Sequence, residues 1–162
     1  MSARVACCWW IAITAGCDDP AKAKGSAPRA GDYAGREGTV YGYAVAQDSV
    51  EPLVLLAITP GAWEFRSGNE WDAAVAVATY VATVEAALVV DGVELLPESF
   101  EAGESSAGIY GEYADTATHA VSEGTFAGTW IFARDLGPVY VALTGVEYQL
   151  VTYQDGLLDT GG

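Results

Sequence analysis

Apolar and polar positions alternate with a period of two along most of this chain, which is the signature of half-buried β-strands. Thr39, Tyr41, Tyr43 and Val45 make a bulky face, while Val40, Gly42 and Ala44 make a small one. Leu53 to Ile58 is a continuous apolar run between Pro52 and Pro60, as expected of a strand covered on both sides. Phe126, Trp130 and Phe132 share one parity, and so do Val139, Val141 and Leu143. Val146, Tyr148 and Leu150 alternate with Glu147 and Gln149, a strand with one wet face. Asp91-Gly92 lies between Val90 and Val93 and predicts a type I′ hairpin. A two-residue turn pairs Val90 with Val93 and Leu88 with Leu95, so register and apolar pattern agree. Gly124, Gly128, Gly137 and Gly145 punctuate the later segments. Short strands at this spacing predict an all-β fold, an antiparallel sandwich or barrel.

One stretch fits two patterns. Asn69 to Asp91 lacks glycine and proline in its interior. Within residues 72–88, Asp72 would cap a helix whose stripe is Val77, Val81, Val84 and Leu88. Val75, Val77, Thr79, Val81 and Thr83 also alternate with smaller residues, and β-branched side chains favour strands. The expectation is a strand, with a helix packed on the sheet as the alternative.

The first residues follow a different logic. Arg4 supplies a positive start, Val5 to Ile13 is uncharged and apolar, and Thr14-Ala15-Gly16-Cys17 is followed at once by Asp18-Asp19-Pro20. The apolar stretch is too short for a membrane-spanning helix, which needs about 20 residues, and has the length of a secretory signal. Ile13-Thr14-Ala15-Gly16-Cys17 resembles the lipobox of bacterial lipoproteins. That resemblance implies export, cleavage between Gly16 and Cys17, and a lipid on Cys17 that holds the protein to a membrane of the cell envelope. Without lipidation the product would be secreted and soluble. The other reading of the segment is a buried N-terminal element carrying Trp9 and Trp10.

Cysteine usage fits the lipobox. Of three cysteines, Cys7 and Cys8 lie in the segment that cleavage removes. A mature chain beginning at Cys17 has no second thiol for a disulfide, so its core must hold it together. Asp18 to Gly38 carries prolines, glycines and charges and almost nothing large and apolar, which predicts a flexible tether. The resulting organisation is a signal peptide at 1–16, the lipidated cysteine and tether at 17–38, one β-rich domain at 39–155 and a frayed tail at 156–162.

Charge narrows the partners. The 162 residues carry 22 Asp and Glu against 7 Lys and Arg, a net charge of −15. Such a surface repels polyanions, so nucleic acid is not an expected partner. Half of the residues are apolar, enough for a sizeable core.

Candidate chemistry is sparse. His119 is the only histidine, so a Ser-His-Asp mechanism would run through it. Gly103-Glu104-Ser105-Ser106-Ala107-Gly108 is a near miss to a nucleophile elbow, its closing glycine one residue late. Glu98, Glu101 and Glu104 near Phe100, and Asp155 with Asp159, are carboxylate groups without the spacing of a calcium loop. Neither a metal nor an organic cofactor is expected. Trp63 and Trp71 flank the polar loop Arg66-Ser67-Gly68-Asn69-Glu70 and form the candidate contact for a glycan or an envelope protein. The expected function is a lipid-anchored envelope protein with a structural, binding or accessory role. A carbohydrate- or partner-binding module at Trp63 and Trp71 is the first alternative, and a secreted hydrolase the second.

Overall fold

The alternating segments become strands of one antiparallel sheet. A computed structural model describes residues 27–45, 51–108 and 111–156. Its strands are β1 (Thr39–Val45), β2 (Val54–Thr59), β3 (Ala62–Ser67), β4 (Val75–Val84), β5 (Leu88–Val90) and β6 (Val93–Leu96). They continue as β7 (Ala102–Gly108), β8 (Gly111–Val121), β9 (Gly128–Ala133), β10 (Gly137–Leu143) and β11 (Val146–Gln154). The order across the sheet is β6-β5-β4-β3-β2-β1-β11-β10-β9-β8-β7. Every neighbour is also a neighbour in sequence except β1 and β11, which join the two halves of the meander. Right-handed twist curls the sheet into a half-barrel. Its edge strand β6 approaches β8 across the opening without pairing to it.

The inner face is aromatic. Trp63 and Trp130 lie 6.2 Å apart, Phe126 sits 6.0 Å from Trp130, and Phe132 stacks at 6.0 Å on the other side. Tyr41, Tyr43, Leu56, Ile58, Val139, Val141 and Leu150 complete this core, following the parity of the sequence. Trp130 Nε1 donates to the Phe126 carbonyl at 2.9 Å, so the buried indole leaves no donor unmatched. β2 is covered on both sides, as its unbroken apolar run requires. Leu56 and Ile58 face the aromatic core, whereas Leu55 and Ala57 join Val40 in a small outer cluster under Trp71 and Ala74.

The predicted hairpin forms, with a changed register. Asp91 (φ 51°) and Gly92 (φ 76°) both take the positive φ that a type I′ turn needs. Val90 pairs with Val93, but Leu88 pairs with Leu96 because a bulge intervenes. The bulge lets consecutive Leu95 and Leu96 both point inward, each fully buried.

Residues 72–88 resolve as strand β4 followed by a turn into β5, and no helix forms there. Tyr80 and Ala82 face the core, while Val77 and Val81 are 66% and 68% exposed. The stripe of the helical alternative would thus put valines in water. The strand instead buries the side that carries Tyr80, whose ring meets Phe126 at 5.0 Å.

The tether expectation needs correction where the structure reaches it. Residues 17–26 lie outside the described residues, but from Ala30 the chain is built into the fold. A 3₁₀ turn at Ala30–Asp32 plugs one end of the half-barrel, with Ala30, Tyr33 and Ala34 buried. Tyr33 packs edge-on to Phe100 at 5.3 Å and its hydroxyl donates to Asp115 Oδ1 at 2.8 Å. Arg134 pairs with Asp115 at 3.1 Å, and the Asp135 N–H donates to the Asp32 carbonyl at 2.7 Å. The small residues that suggested a tether are what permit this seating. A Cβ on Gly137 would lie 2.7 Å from the Gly35 Cα. Residues 157–162 of the expected tail, with Asp159, also lie outside the described residues.

The buried tyrosines of the plug and of β1 predict a fold that weakens in alkali. Burial, and then the hydrogen bond to Asp115, push the Tyr33 phenol up to about 12. Burial also raises Tyr41 and Tyr43. An unfolded tyrosine loses its proton near pH 10, so between about pH 10 and 12 the folded state holds more protons than the unfolded one. The tyrosine contribution to stability is therefore complete below pH 10 and is lost as pH rises through about 12. Thermal unfolding followed from pH 9 to 12 should show Tm falling across this window. Tyr33→Phe should fall less steeply, and an unchanged slope in that variant would remove Tyr33 as a source.

Candidate functional site

The outer face of β1, β2 and β11 carries a groove of about 220 Å³. Its floor is Val40, Gly42 and Leu55, residues of the small or apolar outer parity. The β3–β4 loop supplies one wall with Asn69, Glu70, Trp71 and Asp72, and the last turns of β11 supply the other with Thr152 and Gln154. Gly42 keeps the floor low, because a Cβ there would meet Thr152 Cγ2 at 2.5 Å and Pro52 Cβ at 2.9 Å.

Trp71 is half-buried and held in place. The Arg66 guanidinium lies over its ring, 3.9 Å from the centroid, and Arg66 Nη1 donates to the Trp71 carbonyl at 3.0 Å. Glu64 Oε1 in turn accepts from Arg66 Nε at 2.8 Å. Glu64 and Arg66 are alternate residues of β3 and so share its outer face. The chain Glu64–Arg66–Trp71 braces a loop that begins at the positive-φ Gly68, where an added Cβ would lie 2.9 Å from Ala74 Cβ and 3.0 Å from Ala74 Cα. With the guanidinium over its ring and the Val40, Leu55 and Ala57 cluster packed against it, Trp71 is fixed as part of the groove wall. Among the described residues the lining includes carboxylates, an amide from each wall and a hydroxyl, but no cationic side chain.

The two tryptophans expected to act together are separated. Trp63 is 1% exposed and points into the core, whereas Trp71 lies on the opposite face of the sheet. The sequence placed both beside one polar loop without showing that Trp63 belongs to the inward parity of β3, with Phe65. Thr152, Gln154 and Val40 were not singled out at all. They reach the groove only through the pairing of β1 with β11, where a bulge between Tyr43↔Leu150 and Gly42↔Thr152 turns Thr152 outward.

The other candidates are not assembled into sites. Gly103–Gly108 lies within strand β7, not in a strand-to-helix turn. Ser106 pairs with Tyr113, and His119 lies on the same strand six residues further on, roughly 20 Å away at about 3.3 Å per residue. His119 instead pairs with Trp130 on the inner face. Asp155 accepts from Thr39 Oγ1 at 2.7 Å and from Arg36 at 3.4 Å, closing the end of β11. Glu98, Glu101 and Glu104 are exposed on the surface. Among the described residues no three His, Cys, Asp or Glu side chains converge as metal ligands would. Gly16 and Cys17 lie outside the described residues. The chain matches no protein-family model, no curated protein and no solved structure.

Proposed function

We propose that this chain is an exported binding module, anchored through lipid on Cys17, whose Trp71 groove takes a neutral carbohydrate. The observation that carries the reading is the immobilised Trp71 ring beside Asn69, Asp72 and Gln154. A sugar presents an apolar C–H face that suits an aromatic ring and vicinal hydroxyls that suit planar amides and carboxylates. Among the described residues the groove has acceptors and donors for hydroxyls and no cation for a phosphate or sulfate. Ring and loop are ordered before any ligand arrives, which lowers the entropic cost of binding. The anchor rests on the lipobox and on Cys17 being the only cysteine beyond the proposed cleavage point.

A glycan array identifies the ligand, and calorimetric titration with the best neutral oligosaccharide measures it. Trp71→Ala is expected to weaken binding at least tenfold, and Gln154→Ala on the far wall to weaken it several-fold with an unchanged Tm. Binding that survives both variants, or an array without a neutral glycan ligand, would overturn the carbohydrate reading. For the anchor, wild type should incorporate labelled fatty acid and Cys17→Ser should not. Absence of label from wild type would sink that part alone.

A further inference from the structure

A second concavity lies inside the half-barrel, at the end away from the 3₁₀ plug. Leu56 and Phe65 line one side, Val141 and Leu143 the other, with Trp130 buried behind them and Tyr148 half-buried at the opening. Its volume is about 150 Å³. Among the described residues the lining contains no charged side chain. The hydroxyl of Tyr43, which also borders it, donates to the Pro138 carbonyl at 2.7 Å, so this residue turns its ring to the space.

Two exposed valines lie further out on the same face. Cross-strand partners share a face. Val54 pairs with Ser67 and Ser67 with Val75, so Val75, 71% exposed, stands on the inner face with the exposed Ser67 between it and Val54. On the far side Leu143 pairs with Val146, 37% exposed. Water in such a cleft finds few partners and is displaced favourably by an apolar group.

We propose that this cleft binds a neutral hydrocarbon group, an aromatic ring or the last carbons of an acyl chain. A dry cavity of this size admits a molecule about as large as benzene. Neutrality follows from charge. Among the described residues no cation lines the cleft to receive a carboxylate, and the protein carries a net −15. A free fatty acid would be repelled where the matching alcohol is not.

Methyl-labelled protein titrated with benzene, 1-octanol and octanoate distinguishes ring, chain and charged chain. Saturable shifts of the Leu56, Val141 and Leu143 methyl signals with benzene or 1-octanol are expected, with octanoate at least tenfold weaker. Leu143→Trp should fill the cleft and abolish saturation at an unchanged Tm, and Val54→Phe serves if that variant does not fold. Trp71→Ala, on the outer face, should bind hydrocarbon as wild type does, which separates this test from that of the carbohydrate groove. Shifts without saturation, equal binding by the filled variant, loss of binding in Trp71→Ala, or octanoate binding as well as octanol would each overturn the proposal.

Discussion

Trp63→Ala is expected to lower stability by about 3–5 kcal/mol, the range for removing a buried aromatic side chain. Trp63 is 1% exposed and touches both halves of the meander, with Trp130 of β9 at 6.2 Å and Phe65 of β3 at 6.3 Å. The cavity it leaves cannot collapse easily, because its walls are strands paired on both sides. Against a typical domain stability of about 5–15 kcal/mol, the loss leaves a chain near its unfolding threshold. The urea midpoint should fall with the m-value unchanged. The contrast with Trp71→Ala is diagnostic. Trp71 is half-buried on the outer face, and its removal should cost about 1–2 kcal/mol while affecting the groove. A cost for Trp63→Ala no larger than that for Trp71→Ala would contradict the inward placement of Trp63.

Gly128→Ala is expected to cost about 2–5 kcal/mol through backbone effects alone. Gly128 opens β9 at φ 150°, where an L side chain is strained, and an added Cβ would collide with the carbonyl oxygen of Ala142 on β10. Backbone cannot rotate aside as a side chain can, so β9 and β10 would have to separate at Leu143↔Gly128 and Ala142↔Thr129. Positive-φ strain contributes about 1–2 kcal/mol, and the overpacking a further 1–3 kcal/mol. Gly145→Ala provides the comparison. It also has positive φ, at 83°, but an added Cβ meets nothing within 4 Å, so only the strain remains. Equal midpoints for the two variants in chemical denaturation would refute the β10 collision.

The fold class was legible because period-two alternation reports directly on which side of a strand is wet. Tyr41, Tyr43, Trp130, Val141 and Leu150 all lie inside as their parity requires. The Asp91-Gly92 turn was legible because few residues accept positive φ at two consecutive positions. Bulges were not. A one-residue insertion flips every later side chain, and nothing local marks it, so Leu88 was matched to Leu95 and not to Leu96. The plug was misread for a related reason. Small residues and glycines describe both a chain too poor in apolar surface to fold and one that fits closely into a prepared socket. Only Gly137 and Asp115, far along the chain and contributed by the other half of the sheet, distinguish the two.

What the sequence determined by itself is a strand-built, strongly acidic body. These properties are local or additive, set by residues within a turn of one another or by summed charge. Tertiary structure decided which tryptophan faces outward, that β11 supplies the far wall of the Trp71 groove, and that the half-barrel keeps an apolar cleft at one end. Those depend on pairing β1 with β11 and on curvature accumulated over the whole sheet. Both are long-range choices that no short window of residues contains.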